Sequence, residues 1–289
     1  MNGPQIRRLP DGRRLHLCHG PIDIVAETFG PPAAREAAER ALALAFPGIL
    51  EGLVAELPRL RRPVTGLAHP PRCRSPVARR MVEAVWPHRT LFVTPMAAVA
   101  GAVADHLLAA MAAVPGLAKA YVNNGGDIAF LLTPGTSLCC LAVGRLRRAE
   151  ADLLAEIAAE DPVRGVATSG RGGRSFTLGI ADAVTVLAET AAAADAAATL
   201  IADAVDLEHP AIRRRPACEL DPDSDLGELP VTVEVGALEP EAVAAALDAG
   251  AACARRMLEE GTIVAAALRL RGECRVVGGV PHGGFVTRA

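Results

Sequence analysis

The sequence has few aromatic residues and almost no lysine, and both shortages narrow the range of partners. Aromatic residues make up 3% of the 289 residues, with one Trp and one Tyr, so few side chains could stack against single-stranded nucleic acid. Lys119 is the only lysine, and the arginines are dispersed along a chain whose formal charge is −3. The composition therefore predicts no nucleic-acid partner and favours a small-molecule ligand.

Metal-binding cysteine pairs and long apolar runs are also missing. The seven cysteines include no C-x-x-C pair, so we expect neither a zinc site nor a disulfide framework. The longest apolar runs, such as residues 96–104, are too short and too rich in alanine to span a bilayer. The first 20 residues carry arginines but no apolar stretch followed by a cleavage site. We expect a cytoplasmic protein without a membrane partner.

Strand-like and helix-like segments follow one another along the whole chain. The first half predicts a strand at residues 21–28 and helices at 32–56, 77–85 and 96–113, the last started by Thr94 and Pro95. Next comes a hairpin, residues 118–122 and 128–132, and then strands at 138–143, 166–168 and 185–187. The remainder predicts helices at 189–204 and 240–260, a strand at 231–235 and a hairpin at 263–277. Adjacent antiparallel strands covered by helices indicate an α+β fold.

The first candidate site is Asp195 with Thr199, in a helix whose other positions from 191 to 201 are apolar. Residues four apart share one helix face, so the carboxylate and the hydroxyl point the same way. A carboxylate on a buried alanine surface requires a partner, and carboxylate plus hydroxyl suits a hard cation such as magnesium. Spacing alone favours the simpler alternative, in which Asp195 faces solvent as Asp203 does.

Two glycine-rich segments are further candidates. In Asn124-Gly125-Gly126-Asp127 the glycines let backbone amides approach a ligand, although the same residues form an ordinary hairpin turn. In residues 167–174, Thr168, Ser169 and Gly170 offer amides, and Arg171 and Arg174 offer guanidinium groups, to a phosphate or carboxylate. A flexible basic hairpin tip explains the segment about equally well.

Other motifs are excluded. Asp221, Asp223 and Asp225 resemble the start of a calcium loop, but Leu226 and Thr232 stand where such a loop needs glycine and glutamate, so we expect a solvated turn. The sequence contains no G-x-S-x-G elbow and no cysteine or histidine arrangement that indicates a nucleophile with its base.

The order of the three candidate segments resembles that in the ApbE superfamily, whose best-known members transfer FMN from FAD to protein threonines using magnesium. Residues 122–127 look like the family's glycine-glycine-aspartate strand end, and residues 167–170 resemble its threonine-serine-glycine segment. Ala194-Asp195-Ala196 with Thr199 is similar to its magnesium-binding helix, and residues 96–105 to the helix that supplies a backbone oxygen to the metal and contacts flavin. Residues 95–101, 179–182 and 221–227 look like the uncharacterised protein family 0280, a branch of this superfamily.

The resemblance implies an ApbE-like (T-fold-related) architecture, with antiparallel sheets covered by helices. It implies one domain over residues 1–289, or two packed halves at about 1–115 and 116–289. FAD or FMN is the implied ligand and magnesium the implied ion, with Asp195 as the catalytic residue and Asp195 and Thr199 as metal ligands. The implied flavin-binding residues are Met96, Val99, Asn124, Gly125, Gly126, Asp127, Thr168, Ser169, Gly170, Arg171 and Asp182.

The sequence departs from the family pattern at two places. Ala100 stands where the family has lysine before the helix glycine, and residues 175–182 replace a segment that contains histidine and ends in aspartate-proline. An alternative is therefore a flavin-binding or small-ligand-binding protein without catalysis. A third alternative is an accessory factor in sulfide assimilation and homocysteine synthesis, in which Cys139 and Cys140 could take part. The alanine-rich helices also permit a homodimer.

Overall fold

A computed structural model describes residues 3–142, 153–173 and 175–287, and its main element is a large antiparallel sheet. This sheet has nine strands in the order β1-β2-β3-β4-β5-β8-β9-β12-β13, and every neighbouring pair is antiparallel. The strands are β1 (Gln5–Arg8), β2 (Leu15–His19), β3 (Ile22–Phe29), β4 (Lys119–Asn124), β5 (Asp127–Leu132), β8 (Gly165–Ser169), β9 (Ala183–Ala188), β12 (Ala265–Leu270) and β13 (Glu273–Gly278). The α+β prediction is confirmed.

Two smaller antiparallel sheets contain the remaining described strands. One has three strands, β6 (Ser137–Ala142), β7 (Leu153–Ala158) and β14 (Gly284–Thr287), with β7 in the centre. The other pairs β10 (Ile212–Pro216) with β11 (Pro230–Val235). Strand β3 pairs with β4 in the large sheet, so the sheet runs across the boundary at about residue 115.

The helices cover the large sheet. They are α1 (Pro32–Ala45), α2 (Ile49–Val54), α3 (Leu57–Leu60), α4 (Pro76–Val85), α5 (Val99–Ala112), α6 (Ala191–Ala204), α7 (Ala217–Leu220) and α8 (Pro240–Glu259), with 3₁₀ turns at Trp86–His88 and Pro95–Ala98. Alternating residues of β3 are buried beneath them, as expected for a strand with one covered face. The main core lies between the sheet and α1, α4, α5, α6 and α8.

The structure corrects the sequence-based elements in a few places. The helix predicted over residues 32–56 is two helices, because Pro47 offers no N–H and Gly48 adopts a left-handed conformation with φ of 85°. Strands β1, β2, β7, β10 and β14 were not predicted. Val143, at the end of one predicted strand, and Arg174, at the end of the second glycine-rich segment, lie outside the described residues.

One helical stretch, Pro95–Ala112, is long and apolar enough by composition to cross a membrane. Half of this stretch is buried in the described structure, where α5 packs against α1, α4, α6 and the strands β4 and β5. Such packing is typical of a core helix.

Candidate functional site

Two helices begin side by side at the centre of the candidate site. A Cβ atom on Gly101, in the first turn of α5, would lie 2.3 Å from the carbonyl oxygen of Ala191, in the first turn of α6. A Cβ on Gly165, in β8, would lie 2.1 Å from the carbonyl carbon of Thr190. Only glycine fits at these two positions, and the alanines of α6 extend the close contact. The positive ends of two helix dipoles are thus brought together.

Asp195, in the second turn of α6, interacts with the start of α5. Its Oδ2 accepts a hydrogen bond from the Gly101 N–H at 3.0 Å, and the residue as a whole is partly exposed although protein surrounds its carboxylate. Burial, and then the charge of Asp127, raise the pKa of Asp195 well above its usual range, although hydrogen bonds from the N–H groups of Gly101 and Ala100 oppose this shift. The alternative that Asp195 simply faces solvent is therefore wrong.

Asp105, in α5, makes the reciprocal interaction with the start of α6. Its two oxygens accept hydrogen bonds from the N–H groups of Ala191 at 3.0 Å and Ala192 at 2.8 Å. Asp105 is buried, and this burial raises its pKa while the two hydrogen bonds lower it. Each helix therefore supplies an aspartate that neutralises the N-terminus of the other.

Two adjoining cavities open on the Asp195 side of this helix pair. We name them the glycine cavity, of about 330 Å³, and the acidic cavity, of about 370 Å³. Asp127, Asp195 and Thr199 line both. The carboxylates predicted from separate segments therefore meet at the junction between two cavities of a size suited to small ligands.

The glycine cavity is formed by the ends of strands β4, β5 and β8. Asn124, Gly125, Asp127, Thr168, Ser169 and Gly170 line it, together with Val99. The Asn124 side chain donates to the Ala100 carbonyl at 3.1 Å, and Asp127 accepts from the Thr168 N–H at 3.2 Å. Gly170 has φ of 125°, a conformation that favours glycine. These bonds fix both glycine-rich segments beside the start of α5.

The acidic cavity is formed by α6 and the segments around it. Met96 and Val99 line one side, and Asp203, Asp221, Asp223 and Asp225 add carboxylates. Asp225 accepts a hydrogen bond from Thr94 Oγ1 at 2.5 Å, which attaches the acidic turn to the start of the 3₁₀ helix. Two phenylalanines, Phe92 and Phe176, are 39% and 38% exposed at this cavity.

Asp203 is not the solvent-facing residue expected from its position. Its Oδ1 accepts hydrogen bonds from Thr177 Oγ1 and from the Leu178 N–H, both at 2.8 Å. Burial raises the pKa of Asp203 to about 6. Asp203 thereby holds residues 177–178 against α6, and Ser175 and Phe176 before them line the cavity.

Three predicted flavin-binding residues do not line either cavity. Gly126 lies in the exposed turn and donates its N–H to Asn123 Oδ1 at 2.8 Å. The Arg171 N–H donates to the Ala181 carbonyl at 2.9 Å. Asp182 accepts a hydrogen bond at 2.6 Å from the N–H of Arg271, which has φ of 53° in the turn between β12 and β13. The other eight predicted flavin-binding residues line the two cavities, which together we call the cleft, and so do Asp195 and Thr199.

Several cleft residues were not predicted as site residues. Phe92, Ser175, Phe176 and Asp203 carry no local motif, because folding alone brings their segments to the cavity. Asp221, Asp223 and Asp225 were recognised only as a turn, and the turn prediction agrees with the hydrogen bond from the Asp223 N–H to Asp221 Oδ1 at 2.9 Å. Arg61, 3.6 Å from Asp223, is the only cation that the structure describes among the residues lining these two cavities.

The donor set at the cavity junction suits a hard divalent ion. Burial and the nearby Asp127 disfavour an ionised Asp195, and a cation would offset both effects. Thr199 Oγ1 has no hydrogen-bond partner within the described residues, and it shares a helix face with Asp195. Residues 3–142, 153–173 and 175–287 contain no group of three His, Cys, Asp or Glu placed to hold a metal. An ion here would therefore need oxygen ligands from water or substrate, as magnesium commonly has.

The fold and the cleft define an α+β protein in which a two-part ligand cleft opens at the start of two mutually capped helices. The model of the family described as AbpE bacteria matches residues 6–276, so the chain belongs to this family. This match confirms the predicted relationship to the ApbE superfamily.

Curated relatives of the chain include UPF0280 proteins of two organisms. One, from Methanopyrus kandleri, is 39% identical over 161 residues, which are 54% of this chain and 61% of the relative. Another, from Methanosarcina acetivorans, is 35% identical over 137 residues, 47% of this chain and 51% of the relative. The chain thus matches little more than half the length of these relatives. They confirm the predicted relationship to family 0280.

Solved structures with a similar fold include two flavin transferases. The apo flavinyl transferase ApbE of Pseudomonas stutzeri has 13% identity and a TM-score of 0.41, with 96% of this chain and 95% of that chain covered. A mutant of the flavin transferase ApbE of Vibrio cholerae has 11% identity and a TM-score of 0.44, with coverages of 95% and 96%. These values describe a distant likeness of fold.

Proposed function

We propose that the cleft binds a flavin nucleotide, FAD or FMN, beside a magnesium ion held by Asp195 and Thr199, and that the protein transfers FMN from FAD to an acceptor hydroxyl. The observation that carries this proposal is the junction of the two cavities. There, Asp195 is held by the N–H groups of α5, is partly exposed, and lies near enough to Asp127 for the two charges to raise its pKa.

The two cavities suit the two parts of a dinucleotide. The glycine cavity offers backbone next to Gly125 and Gly170, where phosphate oxygens can approach closely. The acidic cavity offers Met96 and the exposed rings of Phe92 and Phe176, which can contact a planar ring system. The proposal therefore places the phosphates near Asp195 and the ring systems on either side.

In the proposed reaction, the acceptor oxygen forms a bond to the FMN phosphorus while the bond from that phosphorus to the AMP oxygen breaks. AMP leaves with that oxygen, and the hydroxyl proton passes to solvent water. Magnesium would supply charge stabilisation to the pyrophosphate. Asp195 would bind the ion and remain fixed by the N–H groups of Gly101 and Ala100. Because the ion competes with a proton for this carboxylate, magnesium affinity should rise with pH.

A second candidate function is flavin binding without transfer. Ala100 offers no charged side chain, and within the described residues Arg61 is the only cation at the cleft, where it lies near Asp223.

The third alternative, an accessory factor in sulfide assimilation that uses Cys139 and Cys140, receives no such support. Cys139 and Cys140 line neither cavity, and burial raises the pKa of Cys140 to about 12, so this thiol is a weak nucleophile. Both flavin functions would operate in the cytoplasm, the compartment that the sequence predicts.

One experiment separates the two flavin functions. Purified protein is incubated with FAD in magnesium chloride or EDTA, and both equilibrium binding and AMP release are measured, with Asp195→Ala in parallel. Magnesium-dependent binding with AMP release that Asp195→Ala abolishes supports transfer. Binding without AMP release supports the non-catalytic function, and a protein that binds neither FAD nor FMN would contradict both.

A further inference from the structure

A third cavity, of about 270 Å³, lies on the Asp105 side of the helix pair, and we name it the α6 cavity. It shares no lining residue with the glycine or the acidic cavity. Helix α4, the start of α6 and the turn after α8 enclose it. Its lining includes Arg80, Glu83, His88, Asp105 and Glu189, and alanine, proline and glycine make up most of the rest.

His88 is the first residue that indicates ligand binding in this cavity. The residue is only 4% exposed, and its ring nitrogens make no hydrogen bond within the described residues. Burial lowers the pKa of His88, so the ring is neutral at physiological pH and offers one donor and one acceptor. His88 lines the α6 cavity, so a ring nitrogen that has no protein partner can hydrogen-bond to a polar ligand bound there.

Charged groups around the cavity are also without partners. The Arg80 guanidinium makes no hydrogen bond or ion pair within the described residues, and its charge acts on Asp105 and His106. Asp105 is already engaged, because both of its oxygens accept N–H groups of α6. Glu83 and Glu189 are exposed at the cavity and form no ion pair in the described part of the chain. One free cation and two free carboxylates therefore face the same small space.

We propose that the α6 cavity binds a small α-amino acid as its zwitterion. The ligand carboxylate would pair with Arg80, its ammonium group with Glu83 or Glu189, and His88 would hydrogen-bond to it from within the fold. The alanines, proline and glycine of the lining leave space for a short side chain. This site is separate from the proposed flavin cleft and does not depend on it.

Isothermal titration with L-serine and L-alanine tests the proposal. Ethanolamine and 3-hydroxypropionate serve as the two halves of L-serine, since each lacks one of its charged groups. We expect saturable binding of at least one amino acid, and affinities at least tenfold weaker for both half-molecules. Absence of saturable binding by both amino acids, or equal binding of a half-molecule, would overturn the proposal.

Substitutions of lining residues test whether the amino acid binds in the α6 cavity. Arg80→Gln and His88→Leu should each weaken amino-acid binding at least tenfold, whereas His88→Gln should restore part of it. Arg79→Gln is the matched control, because Arg79 lies next in α4, is exposed and does not line the cavity. His88→Leu should melt at or above the wild-type temperature, because the ring makes no hydrogen bond to lose. Unchanged affinity in both Arg80→Gln and His88→Leu would overturn the assignment.

Discussion

Asp195 and Asp105 occupy equivalent places on the two sides of one helix pair, yet their surroundings differ. Asp105 is buried, and both of its oxygens accept N–H groups of α6. Asp195 also accepts N–H groups of α5, but it is partly exposed in the cleft and experiences the charge of Asp127. The same capping chemistry therefore stabilises the fold on one side and, on our proposal, presents a carboxylate to a ligand on the other.

Both capping interactions depend on the close approach of α5 and α6. The Gly101→Ala substitution should abolish this close approach. The new Cβ would lie 2.3 Å from the Ala191 carbonyl oxygen, so the backbones must move apart and both caps weaken. We expect a loss of about 3 kcal/mol or more in the free energy of unfolding, measured by urea denaturation.

Gly52→Ala is the control for this substitution. Gly52 lies in α2, and its Cβ would meet nothing nearer than Ser75 Oγ at 3.5 Å. Alanine is the better helix former, so this variant should gain about 0.5–1 kcal/mol. A Gly101→Ala protein as stable as wild type would refute the close contact.

The two capping aspartates, Asp105 at the start of α6 and Asp195 at the start of α5, should contribute differently to the free energy of unfolding. Asp105→Ala leaves two buried N–H groups without an acceptor, and we expect a loss of about 2 kcal/mol in the free energy of unfolding. Asp195→Ala should lose about 1 kcal/mol or less, because water in the cleft can replace the carboxylate and the repulsion from Asp127 is removed. Chemical denaturation of both variants measures the difference, and equal losses would contradict the distinction drawn between the two sides.

Asp203 is a third aspartate that can be compared with Asp105 and Asp195. Its titration should have a smaller effect, on the pH dependence of the free energy of unfolding. Its pKa is raised from 3.8 to about 6, so the folded state binds the proton more tightly than the unfolded state does. The contribution of Asp203 to stability should therefore decrease as the pH rises from about 4 to about 6. Asp203→Asn should flatten the profile of urea midpoints over this range. An identical profile in wild type and variant would show that Asp203 titrates normally.

The sequence predicts much of this architecture because the relevant signals are local. The turn at Gly125 and Gly126, the cap at Thr94 and the alanine periodicity of α6 each depend on a few neighbouring residues, and the structure has these elements where they were expected. The edge strand β1 was missed because its four exposed residues show no apolar alternation. The glycine at residue 48 divides a helix that its alanine and leucine content would have continued.

The site was harder to predict, because its chemistry depends on contacts between distant segments. Spacing alone favoured a solvent-facing Asp195, since the proximity of Gly101, 94 residues earlier, cannot be read from a helix pattern. The acidic turn looked like a solvated loop until the bond between Thr94 and Asp225 placed it at the cleft. His88 carries no local motif in the sequence, and only folding brings it to the α6 cavity.

The central claim is most directly tested by FAD binding to Asp195→Asn and Asp105→Asn in the presence and absence of magnesium. Both substitutions remove one negative charge and keep the size of the side chain, and both variants are first shown to be folded by circular dichroism. We predict that Asp195→Asn loses the magnesium-dependent part of FAD affinity while Asp105→Asn retains it. Equal retention by both variants, or a loss confined to Asp105→Asn, would contradict the account.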